Sequence, residues 1–176
     1  MKEFLYVKNG LGSLQWSTRF VYTLFLVFSL ASYVVMIVLA AQRSGFSSAS
    51  VADYYAGGGE RYPKTPGELL EVTHFHLFSM PMLLFVQGHL FLMTRGPRAW
   101  KIAVVVAAFA GAALDLAAPW LVLYVSRDWA VSKLVARALL GPALVVFAVV
   151  PLYEMWRPHG AERGHAPRPG ARLGEE

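Results

Sequence analysis

Residues 65–94 read TPGELLEVTHFHLFSMPMLLFVQGHLFLMT. The run is hydrophobic enough to enter a bilayer, and it carries three of the five histidines, His74, His76 and His89. Ionisable side chains are costly at membrane depth, so each of these histidines is a functional candidate. The start of the helix is marked in the chain. Thr65 is a cap residue, Pro66 suits the first helical position, and Glu68 completes a Thr-x-x-Glu capping box. The expected helix spans 66–94 and, at 1.5 Å per residue, roughly 43 Å.

The composition agrees. The 176 residues are 56% hydrophobic and 15% charged, with a mean hydropathy of +0.46. A soluble domain is more polar. The net charge is +5, but the basic residues sit at the ends of apolar runs, as they do in membrane proteins. No nucleic-acid-binding motif is present. There is no cysteine, which excludes disulfides, thiolate metal sites and covalently attached c-type haem.

Three further spans are expected. The first, 20–41, is uncharged and longer than the apolar core of a signal peptide. The others run from about 100 to 125 and from about 131 to 156. The segment 42–64 reads as a polar loop in which Gly57-Gly58-Gly59 is a flexible turn, because no Gly-Lys-Ser/Thr follows it. Residues 157–176 read as a disordered cytoplasmic tail, and His159 and His165 there receive no role. The expected fold is therefore an all-α integral membrane protein, an antiparallel four-helix transmembrane bundle.

Arg95, Arg98 and Lys101 crowd the turn between the second and third spans. Positively charged loops stay inside, so both termini and that turn are expected in the cytoplasm of a bacterial-type inner (plasma) membrane. Arg127 and Lys133, in and after the third loop, are a mild counter-signal.

At 100° per residue the second span has two faces. His74, Phe78, Phe85, His89 and Leu92 share one; His76, Met80 and Gln87 share the other, with Thr73 nearby. Pro81 is expected to kink the helix between them. His74 and His89 lie 15 residues apart, roughly 22 Å.

The run THFHLFSMPMLLFVQGHLF resembles the histidine-bearing helix of small membrane proteins that accompany respiratory cytochromes and, more loosely, the haem helix of b-type cytochromes. The resemblance covers about 25 residues and a four-span layout. It implies haem b, with His74 or His76 ligating one haem and His89 another. The chain departs from the pattern, because spans one, three and four hold no histidine. A second axial ligand would come from another copy of the chain, a partner protein, or Met36. The plainer alternative is that the histidines hydrogen-bond within the bundle or to water at its ends. A third is copper, for which His76 and Met80, one turn apart, supply imidazole and thioether.

Asp115 follows Ala103, Ala107 and Gly111 at four-residue steps, a small-residue face that lets helices approach closely. Asp115 is thus expected at a helix interface, paired with Arg137 of the fourth span. The functional alternative makes Asp115 a proton site and Arg137 an anchor for a propionate or a quinone head.

The expected function is a membrane subunit of an electron-transfer (respiratory) system, binding b-haem or contacting quinol, and at most a non-catalytic subunit of an oxidoreductase. Its expected partners are the lipid bilayer and either a redox protein or a second copy of the chain. A cofactor-free anchor or assembly subunit for a periplasmic redox partner is the alternative, and copper or other metal handling is the third.

Overall fold

The computed structural model describes residues 10–157. It has five α-helices: α1 (Trp16–Arg43), α2 (Ser48–Ala56), α3 (Pro66–Leu92), α4 (Arg98–Tyr124) and α5 (Ala130–Trp156). Four of them, all but α2, are long and apolar enough to cross a membrane. The result is an all-α bundle with no strand among the described residues. The tail expected beyond Arg157 lies outside the described residues, as do His159 and His165.

The start of α3 forms as its residues dictate. The Thr65 hydroxyl accepts from the Glu68 backbone N–H at 3.2 Å, and the Glu68 carboxylate accepts from the Thr65 N–H at 2.8 Å. Pro66 opens the helix, and Pro81 lies within it.

The 42–64 loop departs from expectation, because it contains α2. Ser47 and Ser50 form a capping box at its start. Val51 and Ala52 bury themselves against Val122 of α4 and Ala130 of α5. A nine-residue helix is marginal alone, so tertiary packing rather than propensity makes it. An ion pair from Arg127 to Asp53, with a 2.6 Å bond from Arg127 to the Gly57 carbonyl, ties α2 to the turn before α5.

The centre of the bundle is α5, which packs on all four other helices. Its closest partner is α4. Opposite Gly111 the backbone of α5 comes so near that an added Cβ would stand 2.9 Å from the Leu140 nitrogen and 3.1 Å from the Ala136 oxygen. Within a bilayer, lipid tails are as apolar as leucine, so such contact and not water exclusion drives the association. The small-residue face is confirmed at Gly111 and Asp115 but not at Ala103, which is exposed. Ala108 and Ala112 complete the close face instead.

At the end opposite α2, Glu154 accepts from the backbone of Leu11 at 3.1 Å and of Arg95 at 2.6 Å. Lys101 donates to the Leu92 and Thr94 carbonyls, each at 2.8 Å, where the dipole of α3 favours a cation. Glu154 and Lys101 thus gather the start of α1, the α3–α4 turn and the end of α5. Of the four long helices α1 is the most weakly embedded, with only 6% of its most apolar stretch buried.

Candidate functional site

At the α2 end, a cleft of about 710 Å³ separates α1 from the rest of the bundle. Tyr33, Met36, Ile37 and Ala40 of α1 form one wall, and Leu69, Val72, Thr73 and His76 of α3 the other. Asp115, Leu116 and Pro119 of α4 and Lys133, Arg137 and Leu144 of α5 form the back. Tyr54 and Tyr55 of α2, with Phe46, cover the top. Met36, Ile37 and Val72 remain 42–55% exposed although they line it, so the cleft is open between α1 and α3.

Its polar groups are concentrated at the back and top. Lys133, only 9% exposed, donates to the Asp115 carboxylate at 2.9 Å and to the Asp115 backbone carbonyl at 3.0 Å. The expected pair was Asp115 with Arg137; the structure corrects it. Arg137 instead donates to the Gly45 carbonyl and the Ser44 hydroxyl, both at 2.6 Å, and lies 5.6 Å from the Phe46 ring. The physical reason is the end of α1. The turn that follows it presents the Ser44 hydroxyl and the Gly45 carbonyl to α5, and Arg137 donates to both, beside the partial negative charge of the helix end. Lys133, one turn nearer the α2 end, is left to neutralise Asp115. Asp53 and Asp115 thus hold both cations that had counted as a mild counter-signal for orientation, Arg127 and Lys133.

Tyr55 faces the same pair, with the Lys133 ammonium 5.8 Å from its ring. Burial, and then the Asp115 carboxylate, push its hydroxyl above the usual range, so it stays a donor. On α3 the His76 Nδ1 lies 2.8 Å from the Val72 carbonyl. A carbonyl only accepts, so Nδ1 carries a proton, and the ring lines the cleft. Thr73 accepts from the Trp120 indole at 2.9 Å. The cleft thus offers a cation–carboxylate pair, a phenol and an imidazole beside apolar walls.

The histidines divide between the two faces of α3, and the face that carries His74 and His89 points away from the bundle. His74, Phe78, Phe85 and His89 are all exposed, and His89 stacks on Phe85 with ring centres 6.2 Å apart. The inward stripe is Met80, Leu84, Gln87, Gly88 and Phe91. Packing selected it: the Phe147 ring lies 3.6 Å from the point where a Cβ on Gly88 would sit, and Phe91 meets Phe147 at 5.3 Å. A haem on His74 or His89 would therefore lie outside this chain's bundle, and its second ligand would come from another molecule. Nor do the candidate metal ligands converge. Met80 belongs to the apolar core, and among the described residues no three His, Asp or Glu side chains are grouped as a metal site requires.

Sequence reasoning gave Lys133 and Tyr55 no role at this site. The signal available for Lys133 was a charged residue in the first turns of an apolar span. Tyr55 had none, because α2 was unforeseen.

No curated protein and no solved structure matches the chain. Residues 45–162 match a family model, and this stretch holds α2 to α5, with the back, the top and the α3 wall of the cleft, while α1 precedes it. The match covers about two thirds of the chain, which therefore belongs to the Aq_1264_TM family of transmembrane helical domains and is a multi-pass membrane protein.

Proposed function

We propose that the protein is a membrane subunit of an electron-transfer system and that its cleft binds a quinol-type amphiphile. The observation that carries this is the Lys133–Asp115 pair at the back of an open, apolar-walled cleft. Ligand sites of 300–1,000 Å³ are mostly apolar with a few placed polar groups, and the cleft has that size and make-up. A quinol head has two oxygens that donate when reduced and accept when oxidised. Lys133 and Tyr55 supply donors, and the Asp115 carboxylate supplies an acceptor. The tail would lie between α1 and α3, along exposed Met36 and Val72.

Decylubiquinone should quench the fluorescence of the purified protein saturably, because Trp120 is bonded to Thr73 on the cleft wall. The Asp115→Leu/Lys133→Met double variant removes the polar pair without stranding a charge, and it should weaken binding by about tenfold or more, the equivalent of one good hydrogen bond to a charged group. Quenching that never saturates in the wild type would rule out the quinol reading. The cofactor-free anchor would then stand in its place.

We orient the α2 end towards the periplasm. Arg95, Arg98 and Lys101 mark the other end as the cytoplasmic one. The chain has no cysteine, so a single Ser48→Cys gives an unambiguous report. An impermeant maleimide should label it on intact cells. Labelling only after lysis would reverse the assignment.

A further inference from the structure

We infer that the cleft continues as a hydrated spur, ending on Gln87 deep in the bundle. Gln87 is 1% exposed, and no donor among the described residues reaches its Oε1. A buried amide oxygen without a hydrogen bond is destabilising, most of all where no water reaches it. Beside it is a second cavity of about 30 Å³, lined by Ser29, Ser32, Tyr33 and Gln87 among apolar side chains. A cavity needs about 10–15 Å³ to admit the centre of one water, and the water needs two to four polar partners. This one has both. A water there donates to Gln87 Oε1 and to the Ser29 hydroxyl, whose own proton is directed to the Phe25 carbonyl at 2.8 Å.

The spur and the cleft share Tyr33, Met36 and Leu144. Tyr33 stands at the junction, its hydroxyl seated against Gly141 where any Cβ would overlap it. Gln87 lies 11 residues beyond His76 on α3, roughly 16 Å deeper. Beyond Gln87 the cluster of Leu11, Leu26, Leu90, Ala148 and Met155 closes the bundle. The arrangement is a half-channel, wet from the α2 end and sealed at the other, through which water and protons reach the depth of Gln87. It rests on the cleft's shape and not on the ligand proposed for it.

The test uses the full chain in membrane vesicles, with silver ion as the probe. Silver is close to water in size, reacts with thiolates and does not enter lipid. Ser29→Cys places a thiol on the spur, and Phe85→Cys places one on the exposed face of α3. Silver added from the side on which Ser48→Cys is labelled should abolish later maleimide labelling of denatured Ser29→Cys. Phe85→Cys should stay fully labelled over the same time, and so should Ser29→Cys when silver is added from the other side. Adding Gln87→Leu to Ser29→Cys should restore labelling, because the spur then loses the amide that holds its water. Full labelling of Ser29→Cys after silver from both sides would overturn the proposal, as would equal protection from both. Protection that survives Gln87→Leu would overturn the role of Gln87.

Discussion

Asp115→Ala is expected to lower the stability of the detergent-solubilised protein by about 3–5 kcal/mol, the usual cost of removing one partner of a buried ion pair. The reason is what remains. The Lys133 ammonium is 9% exposed, and its other bond is to the backbone carbonyl of the same Asp115. Without the carboxylate its charge is uncompensated at the back of the cleft. Asp115→Leu/Lys133→Met should recover most of the loss, since replacing both charges by apolar groups of similar volume is often neutral or better. Asp115→Ala/Arg137→Ala should instead lose the sum of its parts, because Arg137 serves the end of α1 and not Asp115. Thermal unfolding followed by circular dichroism measures these three variants and the single Arg137→Ala. Recovery with Arg137→Ala, and none with Lys133→Met, would mean that the pairing is wrong.

Gly111→Leu should separate α4 from α5 and leave little folded protein. Overpacking in a tight core costs about 1–3 kcal/mol where side chains can move aside. Here the nearest atoms are backbone, the Leu140 nitrogen at 2.9 Å and the Ala136 oxygen at 3.1 Å, and they cannot yield unless the helix shifts. Even Gly111→Ala should therefore destabilise. Gly88→Ala is the informative contrast. Its Cβ would meet the Phe147 ring at 3.6–3.7 Å, an ordinary contact. Alanine is better than glycine inside a helix by roughly 0.5–1 kcal/mol, so Gly88→Ala should be neutral or stabilising. Opposite signs for the same substitution at two buried glycines would localise the tight crossing to α4–α5. If Gly111→Ala unfolds no more easily than Gly88→Ala, the helices do not cross as closely as described.

Both results bear on the proposed site. Asp115 lies one turn beyond Gly111 on α4, so the close crossing sets the height at which Lys133 meets it. A variant that loosens the crossing should therefore also lose decylubiquinone binding, without any change to a cleft residue.

The four apolar runs and the Thr65–Glu68 cap were legible in the chain alone, because both are local. Length and hydropathy decide whether a segment can span, and a capping box needs only four consecutive residues. The chain also marked Asp115 as interfacial, since an acid inside an apolar run has to face protein. Which residue meets it was decided by the fold. The turn after α1 brings the Ser44 hydroxyl and the Gly45 carbonyl to Arg137, and no pattern in residues 20–45 says that it would. The orientation of α3 was equally undetermined. That helix is apolar all round, so its periodicity cannot say which face turns inward. Gly88, opposite Phe147, made the choice and turned His76 to the cleft and His74 and His89 away from the bundle. The small helix α2 was invisible for the related reason that its two buried residues, Val51 and Ala52, acquire a partner only once α4 and α5 have packed. The sequence determined what enters the membrane, and tertiary packing decided which polar side chains meet there.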